Sequence, residues 1–204
     1  MNRRLSPHFS LFLSIGVVAL LLLAGCGGGS TSTVAQFTAS ATAPAPGLVK
    51  LVPKTTSGSR AVVDVLIFGP EPNLDLFDFQ FGVKIGDTNL VTFVPQDTYL
   101  QTALVPAAGQ TIDAIVDGAS DPSVVKIEVV KLGGGAGNGF AAASAVVIEL
   151  AFDVHGSGAT TLTLFGTGVR DPQAFDSQRV PIAAVRFDAA SGGLRGVTTG
   201  GGGY

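Results

Sequence analysis

The chain has 204 residues with 12 Lys+Arg against 15 Asp+Glu, and its 28 glycines and 11 prolines demand many turns, which excludes a coiled coil or a long helical bundle. Hydrophobic residues at 46% supply material for a core and exclude wholesale disorder. No basic run is present to neutralise phosphates, so nucleic acid is not expected as a partner.

In chain order, the first element is an export signal. Arg3 and Arg4 precede an apolar or small run from Leu11 to Leu23, which is the length of a signal-peptide core and short of the roughly 20 residues a spanning helix needs. The run ends in Leu23-Ala24-Gly25-Cys26, which resembles the lipobox of bacterial lipoproteins. That resemblance implies cleavage before Cys26 and a diacylglycerol on its thiol. Cys26 is the chain's single cysteine, so it has no intrachain disulfide partner, and lipidation gives it a use. Residues 1–25 are then the signal peptide, and their removal leaves 10 basic against 15 acidic residues. Gly27 stands where many lipoproteins of the inner membrane carry aspartate, which by the same resemblance points to the outer membrane or cell surface.

Residues 26–47 read as the lipidated cysteine and a flexible linker, because Gly27 to Pro46 carries no charge and is rich in Gly, Ser, Thr, Ala and Pro. Twenty such residues would have an end-to-end distance of roughly 25 Å. The folded domain is expected over 48–197, and a Gly-rich tail over 198–204.

Within the domain, Phe77 to Ile85 alternates apolar with polar or small residues, which predicts a strand with odd positions inward. Val146 to His155 repeats the pattern with even positions inward, and Gly156-Ser157-Gly158 before Thr160 to Leu164 suggests a hairpin. Further strands are predicted at Leu48–Val52, Arg60–Phe68, Leu90–Val94, Ile112–Val116, Val124–Leu132 and Ala183–Phe187, with a short helical turn as an option at Phe140–Ala145. These make an all-β chain, an antiparallel two-sheet sandwich of about nine strands.

The order of features resembles the cohesin domain, a nine-stranded jelly-roll module of the same superfamily as several carbohydrate-binding modules. The features are the alternating strand with Val62, Val63, Val65 and Ile67, the acidic and aromatic strand Leu74 to Ile85, and a valine-rich strand entering a Gly-rich loop. The stretch Val146 to Asp171 follows, with Phe152-Asp153-Val154-His155-Gly156 and a Thr-rich strand. The resemblance implies a non-catalytic module that binds dockerins, small calcium-loaded helical partners, through one outer sheet face. On that reading the outward residues are candidates for contact: Asp78, Gln80, Lys84, Lys126, Glu128, Thr161 and Thr163. A polysaccharide-binding module or a structural envelope lipoprotein is the alternative.

Other chemistry finds little support. His155 is the single histidine after the signal, beside turn residues rather than on a nucleophile elbow, so no catalytic residue is expected. Zinc is excluded by the ligand set, and no cofactor is expected. Calcium is the one metal option, at Asp113, Asp117 and Asp121 or at Asp171 and Asp176, where aspartates before Gly or Pro are also ordinary turn formers. Gly137-Asn138-Gly139-Phe140-Ala141-Ala142 formally matches a dinucleotide fingerprint, but a strand rather than a helix is predicted after it, so a flexible loop is expected. A sugar platform would need exposed aromatic faces. The chain has no tryptophan, its tyrosines are Tyr99 and Tyr204, and Phe77, Phe79, Phe81 and Phe152 fall on inward positions.

Overall fold

The computed structural model describes residues 31–98, 103–104, 108–166 and 172–199, and residues 33–198 form one compact unit. Its strands are β1 (Ser32–Thr38), β2 (Leu48–Ser57), β3 (Arg60–Phe68), β4 (Asp78–Ile85), β5 (Val91–Phe93), β6 (Thr111–Asp117), β7 (Val124–Leu132), β8 (Ser144–Val154), β9 (Gly158–Phe165), β10 (Gln173–Phe175), β11 (Arg186–Phe187) and β12 (Gly192–Thr199). One sheet has seven strands in the order β1-β12-β9-β4-β7-β6, with β10 also paired to β4. The other has five, in the order β11-β2-β3-β8-β5. Among the described residues the one helical element is a 3-10 turn at Pro95–Asp97, so Phe140–Ala145 is not a helical turn. The fold is the all-β two-sheet sandwich expected, with twelve strands rather than about nine.

Period-two patterning decides which face of each strand meets the core. Phe79, Phe81, Val83 and Ile85 of β4 are buried, and across the core they meet Val63, Val65 and Ile67 of β3 with Ile148, Leu150 and Phe152 of β8. Phe77 precedes β4 and is half-buried. On β8 the even-position alternation holds only after a bulge. Val65 pairs with Ile148 but Leu66 with Val146, so Val147 is the extra residue and turns inward.

Three expectations are corrected. First, β8 and β9 do not form a hairpin. β8 pairs with β3 and β5 in one sheet, whereas β9 pairs with β4 and β12 in the other. The turn at 155–157 carries the chain across the sandwich, because each strand has one apolar face and the two faces must oppose one another. Second, Ala183–Phe187 contributes only the two-residue β11, which pairs parallel to β2.

Third, the linker expected over 26–47 is in large part folded. β1 begins at Ser32, and Ala35 and Phe37 are buried in the core. Beyond β1 the chain is pinned at Ser40 and Thr42. The buried Lys50 ammonium donates to the carbonyl of Ser40 at 2.8 Å and to that of Thr42, while Asp188 accepts from both hydroxyls. Burial opposes the charge on Asp188, but those hydroxyls, the Ala190 amide and Lys50 together hold its carboxyl below its ordinary range. The domain also runs past 197, since β12 extends to Thr199. Gly192 accepts the Phe37 ring, which lies 2.3 Å from where a Cβ would stand. Residues 1–30 and 200–204, with Cys26 among them, lie outside the described residues.

If β1 is part of the core, Phe37→Ala lowers stability by about 3 kcal/mol in urea unfolding of the chain from Thr31 onward. A change under about 0.5 kcal/mol would return this segment to the status of a linker.

Candidate functional site

The two outer faces differ in what they leave unsatisfied. On the five-stranded sheet the charges are paired with one another. Lys54 bonds Glu149 and lies 3.9 Å from Asp64, and Arg60 holds Asp153 through two bonds of 2.7 and 2.9 Å while also pairing with Asp97. The Arg60 bonds hold the Asp153 carboxyl below its ordinary range.

The seven-stranded sheet presents the opposite condition. Its outer face is built in rows by strand register. One row runs Ile115, Glu128, Gln80, Gln173, and the next runs Asp117, Lys126, Gly82, Phe165. Gln80, Ile115, Asp117, Lys126, Ile127 and Glu128 line a shallow depression of about 270 Å³. The Phe165 ring packs against Gly82, where a Cβ would stand 2.5 Å from it, so glycine makes room for the aromatic there. The exposed large hydrophobic residues among those described are Ile115, Leu132, Val180 and Val197, and the three on strands, Ile115, Leu132 and Val197, are outward on this sheet. Neither Lys84 nor Lys126 forms an ion pair with a described residue.

Of the residues expected to meet a partner, the fold brings Gln80, Lys126 and Glu128 together at the depression. Gln80 is shared between the carboxylates of Asp78 and Glu128, at 2.9 and 3.4 Å. Lys84 and Thr163 are register partners farther along the face, where Lys84 is exposed and the Thr163 hydroxyl is 2.6 Å from that of Ser191. Thr161 is exposed and pairs with Gly193.

Asp78 is outward by position but not accessible, which corrects its assignment as a contact residue. It sits in a third row, Asp113, Val130, Asp78, Phe175, between two apolar side chains that are buried outside the main core. Its own exposure is 0%, and its Oδ1 has no hydrogen-bond partner among the described residues. Burial pushes its carboxyl up to about 6, with Glu128 adding to the shift, against the opposing Gln80 bond and the Arg179 guanidinium 4.0 Å away. Alternation within β4 could not reveal this, because Phe175 and Arg179 come to Asp78 from about a hundred residues later in the chain.

The remaining expectations concern metals, the glycine loop and His155. Asp117 caps Ala119 and Ser120, Asp121 caps Ser123, and Asp176 caps Gln178 and Val180, so these aspartates serve as local turn formers. Among the described residues no group of three or more His, Cys, Asp or Glu is placed to hold a metal. Asp171 and Tyr99 lie outside them. The loop 133–139 is pinned rather than flexible. Asp75 accepts from the Gly137 amide, Lys131 donates to the Asn138 side chain, and Gln110 bonds the carbonyls of Gly134 and Ala136 at 3.2 and 3.3 Å. The amides of Gly137 and Asn138 are thus spent on Asp75 and the Leu76 carbonyl. His155 is exposed at the end of β8, with Nε2 2.8 Å from the Thr92 hydroxyl.

No protein-family model matches the chain, and no curated protein matches it. Solved structures to which it is similar include cohesin modules, the family named from the sequence pattern. One is a type II cohesin domain from the cellulosome of Acetivibrio cellulolyticus, at 11% identity and a TM-score of 0.49, covering 73% of this chain and 95% of that one. Another is a type I cohesin–dockerin complex from Clostridium thermocellum, at 9% identity and a TM-score of 0.49, covering 77% and 96%. A third is a type II cohesin dyad from an adaptor scaffoldin of Acetivibrio cellulolyticus, at 10% identity and a TM-score of 0.49. The match covers 72% of this chain and 48% of the dyad chain.

The raised carboxyl of Asp78 fixes a sign for stability. Its proton is held more firmly in the folded state than in the unfolded one, so the stabilisation is full below about pH 4 and is lost as pH rises to about 6. Asp78→Asn keeps an acceptor for Gln80 without the buried charge. At pH 8 the variant is expected to be more stable than the parent by about 1–2 kcal/mol, after allowance for partial screening by water, and at pH 4 the two are expected to be equal. Parallel urea midpoints across pH check this, and a less stable variant at pH 8 would contradict the assignment.

Proposed function

We propose that the chain is a non-catalytic, lipid-anchored interaction module whose docking surface is the outer face of the seven-stranded sheet. The observation that carries this reading is the contrast between the two faces. One consumes its charges in internal pairs, whereas the other gathers exposed apolar side chains, free lysines and a shallow depression bordered by Gln80, Lys126 and Glu128. Isolated exposed apolar residues are ordinary, but several on one face beside unpaired charges have the makeup of a protein interface. Lys84, Thr161 and Thr163 extend the same surface. The partner is a protein, of dockerin type by the resemblance in the sequence pattern. Cys26 carries the lipid, and the module stands at the outer membrane or cell surface of a bacterium.

The test is capture of the organism's own secreted proteins by a soluble chain starting at Thr31, so that β1 is kept, with calcium and then with chelator. Retention of a protein bearing paired Asp-rich repeats, lost with chelator, supports the reading. The double variant Lys126→Glu with Glu128→Lys is expected to weaken that capture at least tenfold, while Glu149→Gln on the opposite face leaves it unchanged. If nothing is retained while insoluble polysaccharide depletes the chain from solution, protein docking fails and sugar binding replaces it. Lipidation is checked separately in the full-length chain, where Cys26→Ala is expected to abolish incorporation of radiolabelled palmitate and release the protein from the membrane fraction.

A further inference from the structure

The buried acid of the outer face lies beside a tight turn. After β10 the chain turns through Asp176 to Val180 and returns, so that Pro181 bridges to Phe175 and the Ile182 amide bonds the Ala174 carbonyl at 2.9 Å. The turn is self-capped. Asp176 accepts from the amides of Gln178 and Val180, and Arg179 adopts a left-handed conformation with φ of 62°, a strained choice for a residue with a side chain. That conformation accompanies the approach of its guanidinium to Asp78.

We propose that this turn is a proton-tightened cover on Asp78, closed over the neutral acid and loosened when the acid ionises and competes for water. The argument is one of linkage. Covered by Val130, Phe175 and Arg179, the carboxyl titrates at about 6; hydrated by opening of the turn, it returns toward an ordinary carboxyl value near 3.9. A site that binds its proton more tightly when closed must be closed more firmly by that proton.

The charged groups facing Asp78 are Glu128 of β7, Asp113 of β6, and Arg179 and Asp176 of the turn, while Lys84 lies six residues on along its own strand. Glu128 adds to the effect of burial, and Arg179 opposes it by favouring the ion in place. The turn has a second tether. Ser177 donates through its hydroxyl, at 2.7 Å, and its amide to Asp75. Burial opposes the Asp75 charge, but Ser177, the Gly137 amide and Lys131 hold its carboxyl below the ordinary range. Asp75 therefore stays ionised while Asp78 titrates, so the Ser177 tether persists and the opening takes in the turn and the Phe175 end of β10. Because Arg179 and Val180 are exposed, the opening alters the edge of the outer face with pH. The inference does not depend on what that face binds.

Amide exchange tests it, read at Asp176 and Ile182, whose amides bond within the turn, and at Phe77, whose amide bonds the Phe175 carbonyl at 3.0 Å. After correction for intrinsic rates, protection is expected to fall at least threefold between pH 5 and pH 7.5, levelling off at the pH where the carboxyl-carbon titration of Asp78 is centred. Amides in the β4–β7 ladder serve as controls and are expected to hold constant. In Asp78→Asn the turn is expected to stay at its low-pH protection throughout, and Arg179→Gln is expected to lower protection further at pH 7.5. Protection that ignores pH, a fall that continues well beyond the Asp78 titration, or the same pH response in Asp78→Asn would each overturn the proposal. Comparing the pH at which protection levels off with the Asp78 titration needs only the unmodified chain, so it decides the matter even if a variant fails to fold.

Discussion

Two sheets whose apolar faces have only each other to cover them set the terms for everything else in this domain. The chain has a single cysteine, so no intrachain disulfide ties the layers, and among the described residues no long helix shields either sheet. Adhesion rests on interdigitated side chains such as Phe79, Phe81 and Val83 against Val65, Leu150 and Phe152. Once those positions are committed inward, the opposite position of each strand is outward, and the chemistry of the outer faces is what remains free to specialise.

Specialisation took different forms on the two sides. Where Lys54 pairs with Glu149 and Arg60 with Asp153, and Asp64 lies 3.9 Å from Lys54 with its Oδ1 unbonded among the described residues, most of the charge is met within the surface itself. Where Lys84 and Lys126 stand without ion pairs beside Ile115, burying the surface would remove apolar area from water and let those charges find acceptors. The buried Lys50, Lys131 and Asp188 and the half-buried Asp75 do a third kind of work, fastening loops and the segment around Ser40 and Thr42 to the sandwich. Each is charged and hydrogen-bonded, which makes its contact costly to break and the loop it holds correspondingly definite.

What the residues disclosed in advance follows this division. Strands with strong alternation, β3, β4, β7 and β8, were legible because every second side chain is large and apolar, and the outward Gln80, Lys126 and Glu128 were legible with them. β12 was hidden because its inward positions include Gly192, placed there to receive Phe37, so its alternation carries little hydrophobic contrast. β1 does alternate, with Ala35 and Phe37 inward, but the Gly, Ser, Thr, Ala and Pro around it speak for a linker. Asp78 shows the limit of periodicity. Period two gives the side of the sheet, while burial on that side depends on a turn about a hundred residues later.

The early start of β1 also bears on how far the module can stray from its anchor. Only residues 27–31 separate Cys26 from Ser32, and a fully extended chain of that length spans about 20 Å at most. With lipid on Cys26, a leash of that length would keep the domain close to the headgroups instead of letting it sweep a wide hemisphere above them. Partners would then be met within a thin layer at the bilayer, where a short leash raises local concentration and narrows the angles of approach.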